Sequence, residues 1–383
     1  MKPVKAMYAF SGDPITFGHM HVIERASKLF ENLVVGIGVN PAKKYLFTLE
    51  ERLEIAKQAL SRYKNIEVVL FRGLLVDYAF EHNISVIIRG LRNSEDFNME
   101  LLLHQIGESQ DVNIETIYFP SSQNMSHISS GAVKALQLEQ GFVFDYVPLN
   151  VKQKLEEKLS GQFIIGVTGE IAVGKSYLCR RLAELGKKEN IPVTVIDIDK
   201  IGHQILESQD EPLYKATREE IALRFGEGIK DEDGFINRKR LGKIIFNDQD
   251  KLREFNTIIY KPLLLKLRRE LYGKKGLILL DSALIAESKM TYLCNNHVIV
   301  VSTDRQSQLK RLHERSYTPE QIEQRMNSQY SHAVKLEDIL SLIDKDHYGS
   351  LLEFENTQQN DEKAIGELFA KIAGNMISAK AQV

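Results

Sequence analysis

Tryptophan is absent from this 383-residue chain, and cysteine occurs only twice, at Cys179 and Cys294. Two thiols make no disulfide framework, so reduced cytosolic thiols are expected. An excess of one charge is lacking as well: the net charge of −2 gives no drive toward nucleic acid or an anionic membrane. No apolar run approaches the length of a membrane span. Met1 to Lys5 passes straight into a strand-like run, without the long apolar stretch of a signal peptide. These absences set the expectation of a cytoplasmic enzyme that meets neither nucleic acid nor membrane. Internal repeats and low-complexity segments are also missing. What is present is ordinary for a globular chain, with 43% hydrophobic and 27% charged residues. The length suffices for two or three domains with full-sized cores.

The most specific stretch lies near the middle: Gly169, Glu170, Ile171, Ala172, Val173, Gly174, Lys175 and Ser176 match G-x-x-x-x-G-K-[ST] throughout. A strand-like run, Phe163 to Thr168, precedes it, and an amphipathic helix pattern from Tyr177 follows. That is the context a phosphate-binding P-loop needs. Glycines let backbone amides turn inward around phosphate oxygens, and the helix N-terminus adds its positive end. Lys175 is placed to reach the β and γ phosphates of ATP, with the Ser176 hydroxyl as a ligand of Mg²⁺.

Before this loop, strand-like runs alternate with helical patterns. Strands are predicted at Ala6 to Phe10, Asn32 to Val39, Ile66 to Phe71, Val86 to Ile88 and Glu115 to Phe119. Helices are predicted near His19 to Phe30, Leu49 to Arg62, Leu75 to His82 and Glu95 to Gly107, with Thr48 and Glu51 spaced as a capping box. Such alternation gives a parallel sheet covered on both faces, with ligands at the carboxyl ends of the strands. His19 opens a helix after the first strand; alone it could be a cap or a packed residue. Lys43 and Lys44, Arg89 to Arg92, and Ser129 to Gly131 follow other strands, however, and a parallel sheet brings such positions to one edge. Basic residues and helix N-termini gathered there describe a polyphosphate site.

Four stretches, YAFSGDPITFGH (Tyr8 to His19), KKYLFTLEER (Lys43 to Arg52), IRGLRNSEDFNME (Ile88 to Glu100) and Ile128-Ser129-Ser130, resemble bacterial phosphopantetheine adenylyltransferase over residues 4–159. The resemblance implies transfer of AMP from ATP to 4′-phosphopantetheine, giving dephospho-CoA and pyrophosphate. It implies that His19 stabilises the transition state, and that Ser11, Lys43, Leu75 and Arg89 bind the acceptor. It places ATP on Ser11, Gly12, His19, Gly90, Leu91, Arg92, Glu100 and the run Met125, Ser126, His127, Ile128, Ser129, Ser130 and Gly131. It further implies a homo-oligomer, a hexamer in the family, formed through this domain. Phe10-Ser11-Gly12 departs from the family's usual Gly-Thr-Phe, and Gly131 from its Ser or Thr.

The charged run Val151 to Leu159 reads as a solvated helix face, and the domain boundary is set at Ser160. Beyond the P-loop, Val193 to Asp199 reads as a strand ending in two acids, able to take a hydroxyl proton or support Mg²⁺, or simply to cap the next turn. Leu277 to Asp281 and Val298 to Val301 are further strands, around a mainly helical insertion at Leu213 to Leu271. Lys310, Arg311, Arg315 and Arg325 have the spacing of a basic lid.

Residues 161–360 resemble dephospho-CoA kinase. The P-loop, Val195 to Asp199, Asp233-Gly234 with Arg238, Ile245 to Asn247, Pro262-Leu263, Leu284 with Glu287, and the Leu309 to Arg311 region with Gln324-Arg325 carry that likeness. It implies that Asp199 is the general base for the ribose 3′-hydroxyl, that Arg238 binds this substrate, and that Arg311 and Arg315 meet the ATP phosphates. Glu170, Ala172, Lys261 and Ala283 depart from the family's usual residues. The tail after Asn356 is expected to end in a surface helix and disordered last residues.

The resulting expectation is α/β: two doubly wound parallel-sheet domains, a Rossmann-like nucleotidyltransferase over residues 1–159 and a P-loop kinase with helical insertion and lid over 160–383. Together they perform the last two steps of coenzyme A synthesis with Mg²⁺. Two alternatives stay open. One pairs a different nucleotidyltransferase, such as one for nicotinamide mononucleotide, with a nucleoside kinase; the other is a nucleotide-binding regulator with one silent half.

Overall fold

The computed structural model describes residues 4–110, 113–245, 248–314, 319, 322, 326, 329–357 and 361–381. The chain divides into two compact units, Met1–Leu159 with Ile377–Val383, and Ser160–Met376.

In the first unit five parallel strands, β1 (Lys5–Phe10), β2 (Asn32–Ile37), β3 (Ile66–Leu70), β4 (Val86–Leu91) and β5 (Glu115–Pro120), stand in the order β3-β2-β1-β4-β5. The strand direction of travel reverses between β1 and β4, where such sheets open a crevice for ligands. β1 has no polar–apolar alternation because both its faces are buried. Ala6 and Tyr8 enter one apolar cluster, and Met7 and Ala9 the other. Registers such as Phe10 with Ile37 and Tyr8 with Ile88 align the carboxyl ends. Helices Phe17–Ser27, Leu49–Ala59, Leu75–Glu81 and Ser94–Glu108 follow the first four strands. The capping box at Thr48 forms: its hydroxyl accepts from the Glu51 amide at 3.2 Å, and its amide donates to Glu51 Oε2 at 2.8 Å.

The expected solvated face at Val151 to Leu159 is not one. Helix Leu149–Leu155 and the wider turn Glu156–Ser160 pack Val151 and Leu155 into the core. Their charges are paired instead of hydrated: Lys152 with Glu156 at 2.7 Å, Lys154 with Glu157 at 3.0 Å, and Lys158 with Glu51 at 3.0 Å. Lys152 and Glu156 are both buried, at 2% and 5% exposure. Removing one member of such a pair leaves a charge in an apolar setting. Lys152→Met is therefore expected to cost about 3 kcal/mol, read as a lower urea midpoint of the first unit.

The second unit holds β6 (Gln162–Thr168), β7 (Val193–Asp197), β8 (Gly276–Asp281), β9 (His297–Ser302) and β10 (Ser350–Glu355), all parallel, in the order β10-β9-β6-β8-β7. Two expectations are corrected here. β7 ends at Asp197, which caps the next helix by accepting from the Lys200 amide at 2.7 Å; Asp199 lies in the first turn of that helix, Ile198–Glu207. The C-terminal helix Asp361–Ala381 is no surface helix up to Met376: Ile365, Leu368, Phe369, Ile372 and Met376 are buried against Leu178 and Leu182. The last two residues, expected to be disordered, lie outside the described residues. β10 was not anticipated. The insertion is helical, with Pro212–Phe225, Arg238–Ile245 and Gln249–Leu271. Among the described residues no helix is long and apolar enough to cross a membrane.

Candidate active sites

The first site begins where β1 ends. Gly12 has φ +64°, in the left-handed region, and a Cβ there would come within 3.1 Å of Ile37 Cδ1. Glycine thus suits the turn at which the sequence departs from the adenylyltransferase pattern it resembles. Thr16 caps the helix Phe17–Ser27, and His19 is the third helical residue. The Thr16 amide donates to His19 Nδ1 at 3.0 Å, with the Thr16 hydroxyl 2.9 Å from the same nitrogen. Nδ1 is therefore an acceptor, and a neutral ring carries its proton on Nε2. The ring is neutral: burial, then the charges of Arg92 and Lys43, lower its pKa to about 4. His19 is thus a preset N–H donor that feels two cations.

Around it, Lys43 Nζ lies 3.4 Å from Ser11 Oγ. Arg92 grips Asp96 through Nε at 2.8 Å and Nη2 at 2.9 Å, which holds that carboxyl below its usual range and the guanidinium above its own. Arg89 pairs with Glu100 at 3.1 Å. Arg89, Gly90 and Leu91 lie on β4 itself, paired with Tyr118, Phe119 and Pro120, rather than after the strand as expected. Met125 is in a short 3₁₀ turn, followed by Ser126, His127 and Ile128. Ser129 caps Ser130–Leu138, accepting from the Ala132 amide at 3.1 Å, and Ser130 Oγ donates to the Pro14 carbonyl at 2.8 Å. Gly131 continues that first turn. Leu75 stands apart from the polar groups and packs on the Met7, Ala9 and Val34 cluster.

Sequence reasoning missed the braces of this edge. Asp13 accepts from the amides of Leu46 and Phe47, at 3.1 and 2.9 Å, and from Lys134 Nζ at 2.6 Å. Arg52 is buried under the Tyr45 ring and donates to the carbonyls of Ser11, at 2.5 Å, and Gly38, at 2.9 Å. A lone arginine in a helix carries no mark of such a role.

The second site is the P-loop between β6 and the helix Lys175–Lys188. Gly169 has φ +149°, and a Cβ on it would lie 2.2 Å from the Val301 carbonyl; on Gly174, φ +101°, one would lie 2.0 Å from Asn356 Nδ2. Both positions require glycine. Ala172, at φ +64°, is the exception, and its methyl sits in an apolar cluster with Leu312 and Ile322. Lys175 Nζ donates to the carbonyls of Gly169 and Glu170, both at 3.2 Å. Ser176 Oγ donates to Asp281 Oδ2 at 2.8 Å. Burial raises the Asp281 pKa, with Asp197 and Asp199 adding to the rise. Asp199 accepts from Ser282 Oγ at 3.2 Å and from the Ala283 amide at 3.0 Å.

Lys175, Ser176, Asp199, Arg238, Asp281 and Arg311 line one cleft of about 2260 Å³. That is ample for two nucleotide-sized ligands. Arg238 opens its helix 3.5 Å from Glu207. Arg311 donates to the carbonyls of Ala172 and Val173, at 3.3 and 2.9 Å. Lys310 is exposed on the same helix, whereas Arg315 and Arg325 lie outside the described residues. Glu170 has a partner on each side: its carboxylate accepts from Gln308 Nε2 at 3.0 Å and from the His332 amide at 2.9 Å. Gln329 Oε1 accepts from the Ile171 amide at 2.8 Å. Gln308, Gln329 and Asn356 were not singled out in the sequence, because neutral amides at such spacings carry no chemical signature.

Comparison with known proteins divides the chain in the same two parts. A dephospho-CoA kinase family model matches residues 163–348, and a cytidylyltransferase-like one residues 11–136. Phosphopantetheine adenylyltransferase of Carboxydothermus hydrogenoformans is 45% identical over 153 residues, 40% of this chain and 94% of that protein. The enzyme of the same name from Clostridium botulinum is 39% identical over 155 residues, with the same coverage. Among solved structures, a dephospho-CoA kinase from Campylobacter jejuni is 20% identical, with TM-score 0.33, covering 56% of this chain and 97% of that one.

Proposed function

We propose that this chain, which belongs to the phosphopantetheine adenylyltransferase family and joins that enzyme to a dephospho-CoA kinase for the last two steps of coenzyme A synthesis, divides the two reactions between residues 1–159 and 160–383. In the first, a phosphate oxygen of 4′-phosphopantetheine attacks the α-phosphorus of ATP and pyrophosphate leaves. The nucleophile is already an anion, so positioning and charge neutralisation suffice without a strong base. His19 donates its Nε2–H to the transition state. Ser11, Lys43 and Arg89 hold the acceptor, with Leu75 as apolar support beneath it. Gly12, Gly90, Leu91, Arg92, Glu100 and Met125 to Gly131 hold ATP.

In the second reaction, Asp199 takes the proton of the ribose 3′-hydroxyl as that oxygen attacks the γ-phosphorus, and ADP leaves. Lys175 and the amides of Gly169 to Ser176 hold the phosphates. Arg238 binds dephospho-CoA, and Arg311 and Arg315 neutralise phosphate charge. Ser176 Oγ and Asp281 Oδ2, 2.8 Å apart, offer hard oxygens side by side, and such donors fit Mg²⁺. Bound there, Mg²⁺ supplies charge neutralisation at the phosphates.

The observation that carries the reading is a pair of sites, one in each unit: in the second a cleft lined by Lys175, Asp199 and Arg238, and in the first an edge where Thr16 fixes His19 Nδ1 as an acceptor. The enzyme is placed in the cytoplasm, free of nucleic acid and membrane. Self-association through the first domain is supported by the helix Ser94–Glu108, which buries none of its residues and exposes Phe97, Met99, Leu102, Leu103 and Ile106. The test is incubation with 4′-phosphopantetheine, ATP and Mg²⁺, with products resolved by mass spectrometry. Dephospho-CoA and then CoA are expected. Turnover of nicotinamide mononucleotide but not 4′-phosphopantetheine would overturn the reading, and full activity in excess EDTA would remove Mg²⁺ from it.

A further inference from the structure

Lys335 is among the largest fully buried side chains of the protein, at 0% exposure, and no step above uses it. It stands in the first turn of the helix His332–Asp346. Its ammonium donates to Glu287 Oε1, in close contact, and to the Ala283 carbonyl at 2.7 Å. The same Glu287 oxygen accepts from the Tyr330 amide at 3.0 Å. Burying a lysine costs several kcal/mol before its partner repays any of it, and two apolar residues would fill this space at less cost. Burial accordingly pulls the Lys335 ammonium below its usual range.

What the pair holds is the turn after β8. Ser282 donates its amide to the Val167 carbonyl at 3.0 Å, and Thr168 Oγ1 donates to the Ala283 carbonyl at 3.3 Å. From that turn come both side-chain partners of Asp199: the Ser282 hydroxyl and the Ala283 amide. One peptide later, the Ala283 carbonyl is the atom that Lys335 fixes. Turning that carbonyl reorients the plane of the 283–284 peptide and shifts the backbone that aims the Ala283 amide.

We propose that the buried Lys335–Glu287 pair is a positioning device for the kinase reaction, acting through the Ser282–Ala283 turn to hold the Asp199 carboxylate in line with the acceptor hydroxyl. The inference rests on the reading of Asp199 as general base. Lys335 and Glu287 are positioning residues; neither is assigned a contact with the reacting atoms.

The test is a double-mutant cycle on the full chain. Lys335→Met alone strands a buried carboxylate and can unfold the domain. The working variant is therefore Lys335→Met with Glu287→Leu, which replaces the pair by apolar groups of similar size. Its melting temperature is expected to stay at or above that of the parent. Adenylyl transfer and the KM for ATP are expected to stay within about twofold, while kcat for 3′-phosphorylation falls on the order of 10-fold to 100-fold, the loss that a misplaced base brings. Asp199→Asn alone is expected to lower kcat about 10²-fold or more. Adding the apolar pair in the Asp199→Asn background should lower it less than twofold further, because the base being positioned is already gone. A folded apolar-pair variant with parental kcat overturns the proposal. A full multiplicative loss in the Asp199→Asn background also overturns it and leaves the base reading standing. Parental kcat in Asp199→Asn itself removes the base reading and the positioning role with it.

Discussion

Lys175→Ala is expected to stop conversion at dephospho-CoA: 4′-phosphopantetheine is consumed, pyrophosphate is released, and dephospho-CoA accumulates without CoA. The ammonium of Lys175 rests on the carbonyls of Gly169 and Glu170, at the mouth of the loop whose amides cradle phosphates. It is the one cation carried by the loop itself, and charge that develops between the β and γ phosphates has no nearer compensation within it. Loss of a single preorganised charge of this kind costs about 10²–10³ in rate, or roughly 3–4 kcal/mol of transition-state stabilisation. The fold bears the change lightly, since Lys175 lines the cleft instead of the core. An unchanged melt beside lost kinase activity is thus the expected pair of results, with mass spectrometry as the readout. If a folded Lys175→Ala protein lost both reactions, the assignment of one reaction to each sheet would be wrong.

The parts of this molecule that were readable in the sequence are those where local pattern and chemistry coincide. Nine of the ten strands among the described residues follow from apolar, strand-like runs in the sequence, and the P-loop from its spacing. The tenth, β10, escaped because Ser350–Glu355 is an edge strand, only Phe354 of which is fully buried, and its polar residues hide the run. The stretch Val151 to Leu159 hides its burial for the opposite reason: its lysines look solvated, yet Lys152 and Lys154 pair with glutamates about one turn away and Lys158 pairs with Glu51 across the domain. Asp199 is expected at the end of a strand but stands in the first turn of a helix, since the strand ends at the cap Asp197. The residues least visible in advance are those that act on other residues. Asp13, Gln308, Asn356 and Lys335 make most of their side-chain bonds to partners 33 or more positions away, as with Lys134 on Asp13 or Ala283 on Lys335, and Arg52 reaches Ser11 41 positions away. Such contacts are made by topology, and composition or spacing within a window does not contain them.

His19→Ala is expected to give the mirror image: 4′-phosphopantetheine is left almost untouched, while supplied dephospho-CoA still becomes CoA. The imidazole is fixed by Thr16 through Nδ1, so what it presents is the Nε2–H, already in place before ligands arrive. A loss of about 10²–10³ in kcat is expected for alanine. His19→Gln, whose carboxamide also offers an N–H, should lose less. The pH dependence gives a second handle. With the ring held at a pKa of about 4 by burial and by Arg92 and Lys43, it stays neutral across the range in which an ordinary histidine titrates, near 6.5. Between these two values the unfolded chain takes up a proton that the folded one refuses. The stability that His19 allows is therefore complete above about pH 6.5 and declines as the pH falls toward 4. For catalysis, the rate of adenylyl transfer should show no limb from His19 between pH 8 and about 5, and the parent and His19→Gln should run parallel there. A loss of rate as the pH rises through about 6.5, present in the parent and missing in His19→Gln, would mean that the ring works as an imidazolium, and that Arg92 and Lys43 are compensated by groups in the loaded site.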